Sequence, residues 1–126
     1  MINYILLSIL CLILLGGIFL FFFPVVQICG YSMFPTLTDG EFHLGRRVLR
    51  KSKCKCGEIY VYKPPYDSKE ERYVIKRLAG YEFGSGGEVK YYFLGDNQDD
   101  SYDSRYYGCV DSHNVVAHIS EKRGVK

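Results

Sequence analysis

The chain has 126 residues, a formal net charge of +2 and 48% hydrophobic residues. A chain of this length has room for one modest domain with a small core. The net charge is too weak to indicate the strongly basic surface that nucleic-acid binding needs. We therefore expect no nucleic acid among the partners of this protein.

The N-terminal segment is long and apolar enough to cross a lipid bilayer. No charged side chain occurs before Asp39, and residues 4–23 form a nearly unbroken apolar run. A spanning helix needs about 20 such residues. A cleaved secretory signal normally has a basic start and a shorter apolar core, and neither Lys nor Arg precedes this run. We interpret residues 1–27 as a retained single-pass membrane anchor and residues 28–126 as a folded domain.

Charge alone does not fix the orientation of this anchor. Several basic residues follow the span, namely Arg46, Arg47, Arg50, Lys51, Lys53 and Lys55. The positive-inside rule would direct that side toward the cytoplasm, but the rule is weak for long translocated domains. The orientation therefore has to be inferred from other features of the sequence.

After the anchor, apolar residues alternate with a period of two, which is the pattern of β-strands. The alternating segments are residues 42–48 (interrupted by Gly45), 59–62, 73–78, 90–94 and 115–119. In the second segment the aliphatic and tyrosine side chains fall on opposite faces, and in the third Val74, Lys76 and Leu78 share one face. Gly- and Pro-rich turns separate the segments, and no second long helix is visible. We predict a mainly β protein, with a compact all-β domain of sandwich or barrel type after a single transmembrane helix.

The five cysteines do not form the pattern of a disulfide framework or of a zinc site. Cys11 lies inside the anchor and Cys29 at its outer edge, which leaves Cys54, Cys56 and Cys109. A lone Cys-x-Cys lacks the second pair of ligands that zinc needs. We expect free or loosely paired thiols, no metal ion and no organic cofactor.

Three short boxes carry the chemistry that the sequence indicates. They are Gly30-Tyr31-Ser32-Met33-Phe34-Pro35-Thr36-Leu37, Lys76-Arg77-Leu78-Ala79-Gly80 and residues 95–108. In these boxes and in their order the chain resembles the bacterial type I signal peptidases, membrane serine proteases that use a Ser/Lys dyad. The resemblance covers about residues 25–110. It implies a catalytic β-domain outside the cytoplasm, opposite to the tendency of the positive-inside rule.

The resemblance implies that Ser32 is the nucleophile and Lys76 its general base. Spacing alone would favour an ordinary turn serine at Ser32, since a hydroxyl is a poor nucleophile until a base takes its proton. Burial on an apolar strand face disfavours a charged lysine. To act as a base, Lys76 would need a pKa lowered from about 10.4 to about 7–8. The histidines (His43, His113 and His118) lie in no recognisable triad motif.

The third box supplies supporting residues by the same resemblance. Ser101 would hydrogen-bond the lysine amine, and Asp103 and Arg105 would pair and hold the loop rigid. Gly30 stands where some relatives have a serine whose hydroxyl stabilises the oxyanion. Because glycine has no side-chain donor, the Ser32 backbone N–H would carry more of that stabilisation, together with another backbone donor.

An apolar lining around Ser32 is also implied, and it would consist of Ile28, Met33, Leu37, Val74 and Ile75. Such a lining makes shallow pockets that accept small residues at the −1 and −3 positions of an exported preprotein bound as an added strand. The accessory β insertion that usually follows the Lys-Arg box is largely absent, because residue 95 follows soon after Gly80.

We therefore predict a signal peptidase I that cuts the signal peptides of exported preproteins at the lipid bilayer. Two alternatives stay open. One is a specialised peptidase of the same family that matures a dedicated pilin-like or secreted peptide substrate, which the small size favours. The other is a catalytically silent, membrane-anchored domain that binds exported peptides, against which the intact set of Ser32, Lys76 and Ser101 argues.

Overall fold

The computed structural model describes residues 1–50, 53–67, 69 and 73–121. Lys51 of the basic cluster and residues 122–126 of the predicted domain lie outside the described residues. The chain is mainly β after one N-terminal helix, as predicted. Its elements are α1 (Ile2–Phe22), β1 (Val25–Gln27), β2 (Phe42–Leu44), β3 (Arg46–Arg47), β4 (Ile59–Tyr62), β5 (Val74–Phe83), β6 (Val89–Leu94), α2 (Ser104–Tyr107), β7 (Val110–Asp111) and β8 (Val115–Ile119).

Helix α1 is apolar around its whole circumference. It has 21 residues, and none of them is buried against the rest of the protein. At 1.5 Å of rise per residue its length is about 30 Å, which matches the hydrocarbon thickness of a bilayer. The helix is therefore long and apolar enough to cross a membrane.

The strands form two antiparallel sheets. The small sheet pairs β1 with β2, so that Val26 lies opposite His43. The large sheet has the strand order β3-β8-β4-β5-β6-β7, and each neighbouring pair is antiparallel. Strand β4 therefore lies in the interior of the large sheet, between β8 and β5.

Strand β4 is buried on both of its faces. Ile59 and Val61 pack into one apolar cluster, whose other buried members are Ile28, Met33, Leu37, Ala117 and Ile119. Tyr60 and Tyr62 pack into a second cluster, with Val74, Leu78, Tyr91, Phe93, Val110 and Val115. Because successive side chains of a strand point to opposite faces, the sheet separates these clusters. The predicted division of β4 into an aliphatic and a tyrosine face is confirmed.

The predicted strands agree with the observed ones except where a glycine or the anchor intervenes. Gly45 splits the predicted strand of residues 42–48, since its N–H donates to the Pro24 carbonyl at 2.8 Å and β2 and β3 join different sheets. Strand β1 was not predicted, because its valines continue the apolar run of the anchor. The short elements α2 and β7 were also missed, and β5 extends beyond the prediction to Phe83.

Strand β5 changes its neighbours along its length. Residues 74–77 pair with β4, whereas β6 pairs with β5 from Arg77 onward. The connection between β5 and β6 is a turn in which the Gly84 N–H donates to the Glu88 carbonyl at 2.7 Å. As a consequence, the segment of β5 that contains Lys76 has β4 on one side only, and its other edge is not covered by β6.

The two phenylalanines of the β5–β6 hairpin test where the core lies. Phe93 is fully buried and stacks on Tyr62 with ring centroids 4.2 Å apart, whereas Phe83 is 68% exposed. We expect Phe93→Ala to lower the free energy of unfolding by about 3–5 kcal/mol because it leaves a cavity. Urea unfolding of the detergent-solubilised chain measures this. Phe83→Ala is the matched control and should stay within about 0.5 kcal/mol of the wild type; equal losses would contradict this description of the core.

Candidate active site

Ser32 and Lys76 are in direct contact. The Lys76 Nζ donates a hydrogen bond to the Ser32 Oγ at 2.6 Å. Ser32 is half-buried in the turn region that follows β1, and Lys76 is only 4% exposed. Lys76 lies opposite Tyr60 in the β4–β5 pair, so its position is fixed by the sheet. The structure thus brings together the two residues that the sequence analysis singled out as nucleophile and base.

This contact has the geometry that a proton transfer needs. A base must lie within about 2.6–3.2 Å of the atom whose proton it takes. Burial disfavours a charged ammonium and favours the neutral amine. A neutral Lys76 could accept the serine proton across the same hydrogen bond that its charged form donates.

The loop that begins at Gly95 holds the Ser32 turn from behind. The Asn97 backbone N–H donates to the Ser32 carbonyl at 2.9 Å, and the Asn97 Nδ2 donates to the Tyr31 carbonyl at 3.0 Å. Gly95 is buried where a Cβ would overlap the Ser101 side chain and lie 2.7 Å from the Ser32 carbonyl oxygen. Only glycine therefore fits at position 95 without a shift of the Ser32 turn.

Asp96 links the Ser32 turn to the strand of Lys76. Its carboxylate accepts hydrogen bonds from Thr36 Oγ1 at 2.5 Å and from Arg77 Nε and Nη2 at 2.8 and 2.6 Å. These bonds, the one from Arg77 above all, lower the pKa of Asp96. Arg77 also donates to the Gly57 carbonyl at 2.6 Å and pairs with Glu121. The sequence analysis missed these roles, and the only local signal for them was that Arg77 is adjacent to Lys76.

Asp103 is a fully buried carboxylate at the centre of the same loop. It accepts hydrogen bonds from Arg105 Nε at 2.9 Å, from Ser101 Oγ at 2.8 Å and from the Gly95 N–H at 3.0 Å. Burial alone would raise the pKa of Asp103, but these bonds outweigh it and lower the pKa to about 2. The carboxylate is therefore ionised at neutral pH, and it orders the loop around itself.

Ser101 and Gly30 lie close to the contact between Ser32 and Lys76. Ser101 lines the same cavity as both of them, and its hydroxyl donates to Asp103. Gly30 has φ +90°, which disfavours any other residue, and its N–H donates to Asp39 Oδ1 at 2.7 Å. A hydrogen bond between the lysine amine and the Ser101 hydroxyl, in which the amine donates, stays a prediction.

Two cavities meet at Ser32 and Lys76. The first has a volume of about 230 Å³ and is lined by residues 27–30 and 73–76 together with Ser32 and Met33. Of the predicted apolar lining, Ile28, Met33, Val74 and Ile75 border it, while Leu37 is buried in the cluster behind. The second cavity, about 520 Å³, lies on the other side and is lined by Tyr31, Tyr102, Tyr106, Asp99, Asp100 and Ser101.

The histidines and cysteines have other surroundings. His43, His113 and His118 each bond a carboxylate at 2.8–2.9 Å, those of Glu41, Asp111 and Glu58 respectively. All five cysteines lie in the described ranges, and none of them forms a disulfide. Within the described ranges, no group of three or more His, Cys, Asp or Glu side chains could hold a metal ion.

Comparison with known proteins gives one clear match. The family model described as "Signal peptidase, peptidase S26" matches residues 1–82 and 87–122, which is nearly the whole chain. A search of the curated proteins finds no match.

The lowered pKa of Asp103 predicts how the loop responds to acid. Because this pKa is about 2 in the folded chain, against an ordinary value of 3.8, the ionised carboxylate stabilises the fold above about pH 4. That stabilisation is lost as the pH falls toward about 2. We expect Asp103→Asn to lower the free energy of unfolding at neutral pH by about 3 kcal/mol.

The difference between Asp103→Asn and the wild type should shrink on acidification, which urea unfolding at neutral pH and at about pH 3 can measure. Asp100→Asn changes an exposed carboxylate of the same loop and serves as the matched control, with near wild-type stability. A gap that stays constant between the two pH values would show that the charge of Asp103 does not stabilise the fold.

Proposed function

The chain belongs to the signal peptidase family, peptidase S26, and from this we propose that it is a membrane-anchored serine endopeptidase that removes N-terminal signal peptides from exported preproteins. The observation that carries the proposal is the 2.6 Å contact between Lys76 Nζ and Ser32 Oγ. It lies at the junction of two cavities, where an extended peptide could pass over the serine hydroxyl.

In the first half of the reaction, neutral Lys76 takes the proton of the Ser32 hydroxyl. The Oγ attacks the carbonyl carbon of the residue at position −1, and the carbonyl oxygen becomes an oxyanion. The resulting ammonium of Lys76 then gives its proton to the nitrogen of the departing mature protein. The signal peptide remains as an ester on Ser32, and the new N-terminus leaves as an amine.

In the second half, Lys76 acts as base again, this time toward water. The water attacks the ester carbonyl, and the proton on Lys76 returns to the Ser32 Oγ as the signal peptide leaves with a free carboxylate. Metal ions and organic cofactors have no part in this proposal. The same lysine thus serves as base and as acid in both halves.

The oxyanion needs a donor that is not already engaged. We assign this role to the Ser32 backbone N–H. The Gly30 N–H is unsuitable because it already donates to Asp39 at 2.7 Å. The hydrogen bonds from Asn97 to the Ser32 and Tyr31 carbonyls support this assignment, since they hold the peptide planes around Ser32 in one orientation.

Ser101, Asp103 and Arg105 would act by positioning. We propose that the Ser101 hydroxyl oxygen accepts a hydrogen bond from the neutral amine of Lys76. This bond would orient the lone pair of the amine toward Ser32. The bond from Ser101 to Asp103 supports this, because it keeps the hydroxyl beside the cavity that Lys76 lines. Arg105 would fix the carboxylate, through bonds of 2.9 and 3.1 Å, and thereby the whole loop.

The precursor would bind as an extended strand in the first cavity. The edge of β5 at residues 74–76, which β6 does not cover, offers backbone groups to such a strand, and residues 27–30 face this edge across the cavity. Side chains at −1 and −3 would point into the shallow space lined by Ile28, Met33, Val74 and Ile75, with Leu37 closing it from behind. This mode of strand addition gives affinity through main-chain bonds and specificity through alternate side chains.

We further propose that α1 anchors the chain as a single span, with the catalytic domain outside the cytoplasm. Only two residues separate the end of α1 from β1, which leads directly to Ser32. This connection supports a location of Ser32 close to the membrane surface, where the apolar segment of a precursor ends. The connection between β5 and β6 is a short turn and not an accessory β region. This small size is also compatible with the alternative, a peptidase dedicated to one small substrate.

Substitutions at Ser32 and Lys76 test the dyad. We expect Ser32→Ala and Lys76→Ala each to abolish cleavage of a signal-peptide substrate, and the double variant to be no worse, because the two groups act as a unit. Lys76→Arg should also fail, since arginine stays protonated. Cleavage is measured with the full chain in detergent micelles.

Ser85→Ala and Lys90→Ala change the same residue types in the β5–β6 hairpin and should retain wild-type turnover. Robust cleavage by Lys76→Ala would exclude Lys76 as the base. A wild-type chain that binds the precursor but never cleaves it would instead favour the silent peptide-binding domain.

A library of precursor peptides tests the pockets. We expect alanine and other small residues at −1 and −3 to be cleaved best, since the cavity between residues 27–30 and 73–76 has only about 230 Å³. Phenylalanine at either position should be rejected by steric overlap. Cleavage rates for single substitutions at −1, −2 and −3 provide the measurement, with −2 as the internal control because its side chain points away. Equal cleavage of Ala and Phe at −1 would rule out shallow pockets.

A further inference from the structure

The last turn of α1 has carbonyl groups that the helix itself cannot satisfy. The final four carbonyls of any α-helix lack an intrahelical donor. The last turn of α1 contains no basic residue, and the Phe23 N–H, which forms the final helical bond, reaches back to the Phe19 carbonyl. The Phe21 carbonyl is therefore one of those that need a donor from elsewhere in the protein.

Arg47 of β3 supplies that donor. Its Nε donates to the Phe21 carbonyl at 2.6 Å, and its guanidinium carbon lies 4.5 Å from the centroid of the Phe21 ring. A positive charge is favourable at the C-terminal end of a helix, and a guanidinium is favourable over an aromatic face. One side chain therefore holds both the backbone and the ring of Phe21.

A second hydrogen bond lies close to the first. The Gly45 N–H donates to the Pro24 carbonyl at 2.8 Å, just after the end of the helix. A Cβ at Gly45 would lie 3.3 Å from that same oxygen, so a larger residue would require the two segments to move apart by a few tenths of an ångström. The β2–β3 corner thus contacts the end of α1 through two hydrogen bonds, one from Arg47 and one from Gly45.

This corner is connected to both halves of the candidate active site. Arg47 lies opposite Ala117 of β8, β8 pairs with β4, and Tyr60 of β4 lies opposite Lys76. In the other direction the chain runs from Phe21 through β1 to Ser32. The end of α1 is therefore held in a fixed place relative to Ser32 and Lys76.

We propose that Arg47 is a positioning residue that clamps the end of the membrane span to the catalytic domain, and that this clamp sets which bond of a membrane-inserted precursor is cut. The inference rests on the proposed function. If the span and the domain are rigidly joined, Ser32 stays at one height above the bilayer. Without Arg47 only the Gly45 bond to Pro24 still holds the end of α1, so the helix can bend at Phe23 and the height of Ser32 varies.

Cleavage of two substrates separates this role from a merely structural one. The chain is reconstituted in liposomes and tested on two substrates. The first is a membrane-inserted precursor, made in versions whose cut site is moved stepwise away from the apolar segment. The second is a short soluble peptide that spans the same cut site. For Arg47→Gln we expect about tenfold slower cleavage of the best membrane-inserted precursor, equivalent to losing one charge-assisted hydrogen bond, and a broader tolerance of shifted sites. Cleavage of the soluble peptide should stay at the wild-type rate.

Arg46 offers a matched control, because it is the neighbouring arginine of the same strand, and Arg46→Gln should behave as the wild type on both substrates. Arg47→Lys should be intermediate, since lysine restores the charge but lacks the planar group that covers the Phe21 ring. Equal losses of Arg47→Gln on both substrates, or no loss on either, would overturn the proposal.

A second readout needs no activity. The chain contains no tryptophan, so Phe42→Trp, at an exposed position of β2, introduces a single tryptophan that can be excited selectively over the tyrosines. Its quenching by lipids brominated at a known depth reports the height of the domain above the bilayer. Adding Arg47→Gln should change the depth profile, and an unchanged profile counts against the clamp. If wild-type chain fails to cut the soluble peptide, the proposed function fails, while this profile still tests the clamp.

Discussion

The hydrogen bonds of the Asp96 carboxylate determine how the Ser32 turn is placed relative to the strand that carries Lys76. It bonds Thr36, which lies in the Ser32 turn, and Arg77, which follows Lys76 in β5. These two segments belong to different parts of the fold, and no strand pairing joins them directly in the sheets that the structure describes. A shift of Asp96 would therefore change the 2.6 Å contact between Ser32 and Lys76 without breaking any strand of the large sheet.

The loop around Asp96 obtains its order from hydrogen bonds more than from apolar packing. Asp103 collects donors from Gly95, Ser101 and Arg105, and Asn97 holds the Ser32 turn. In the described part of the chain, no buried side-chain nitrogen or oxygen lacks a partner. A network that is fully satisfied rigidifies its members, whereas a partly satisfied one would be costly. The loop can thus keep Ser32 and Lys76 in register before any substrate arrives, which is what electrostatic catalysis requires.

Much of the fold could be predicted from the sequence, and so could the burial of Lys76. The period of two located β4 and β8, and the shared face of Val74, Lys76 and Leu78 placed the lysine in the interior. Ser32 was singled out as a candidate nucleophile through its motif, because spacing alone favoured an ordinary turn serine. The contacts of Asp96 could not be predicted, since they join residues far apart in sequence and depend on how the loop packs. Strand β1 could not be predicted, because two valines that follow an apolar anchor are equally compatible with a lipid environment and with a β-sheet.

Lys76 and Asp103 are both buried, but their surroundings differ. Asp103 is surrounded by donors that favour its anion, and its pKa falls to about 2 although burial alone would raise it. Lys76 shares its strand face with Val74 and Leu78, and an apolar setting of this kind penalises a charged ammonium. A precursor strand in the adjoining cavity would exclude water from the contact with Ser32 and strengthen this effect. In the proposed mechanism, the bound precursor would thereby help to prepare Lys76 for its role as base.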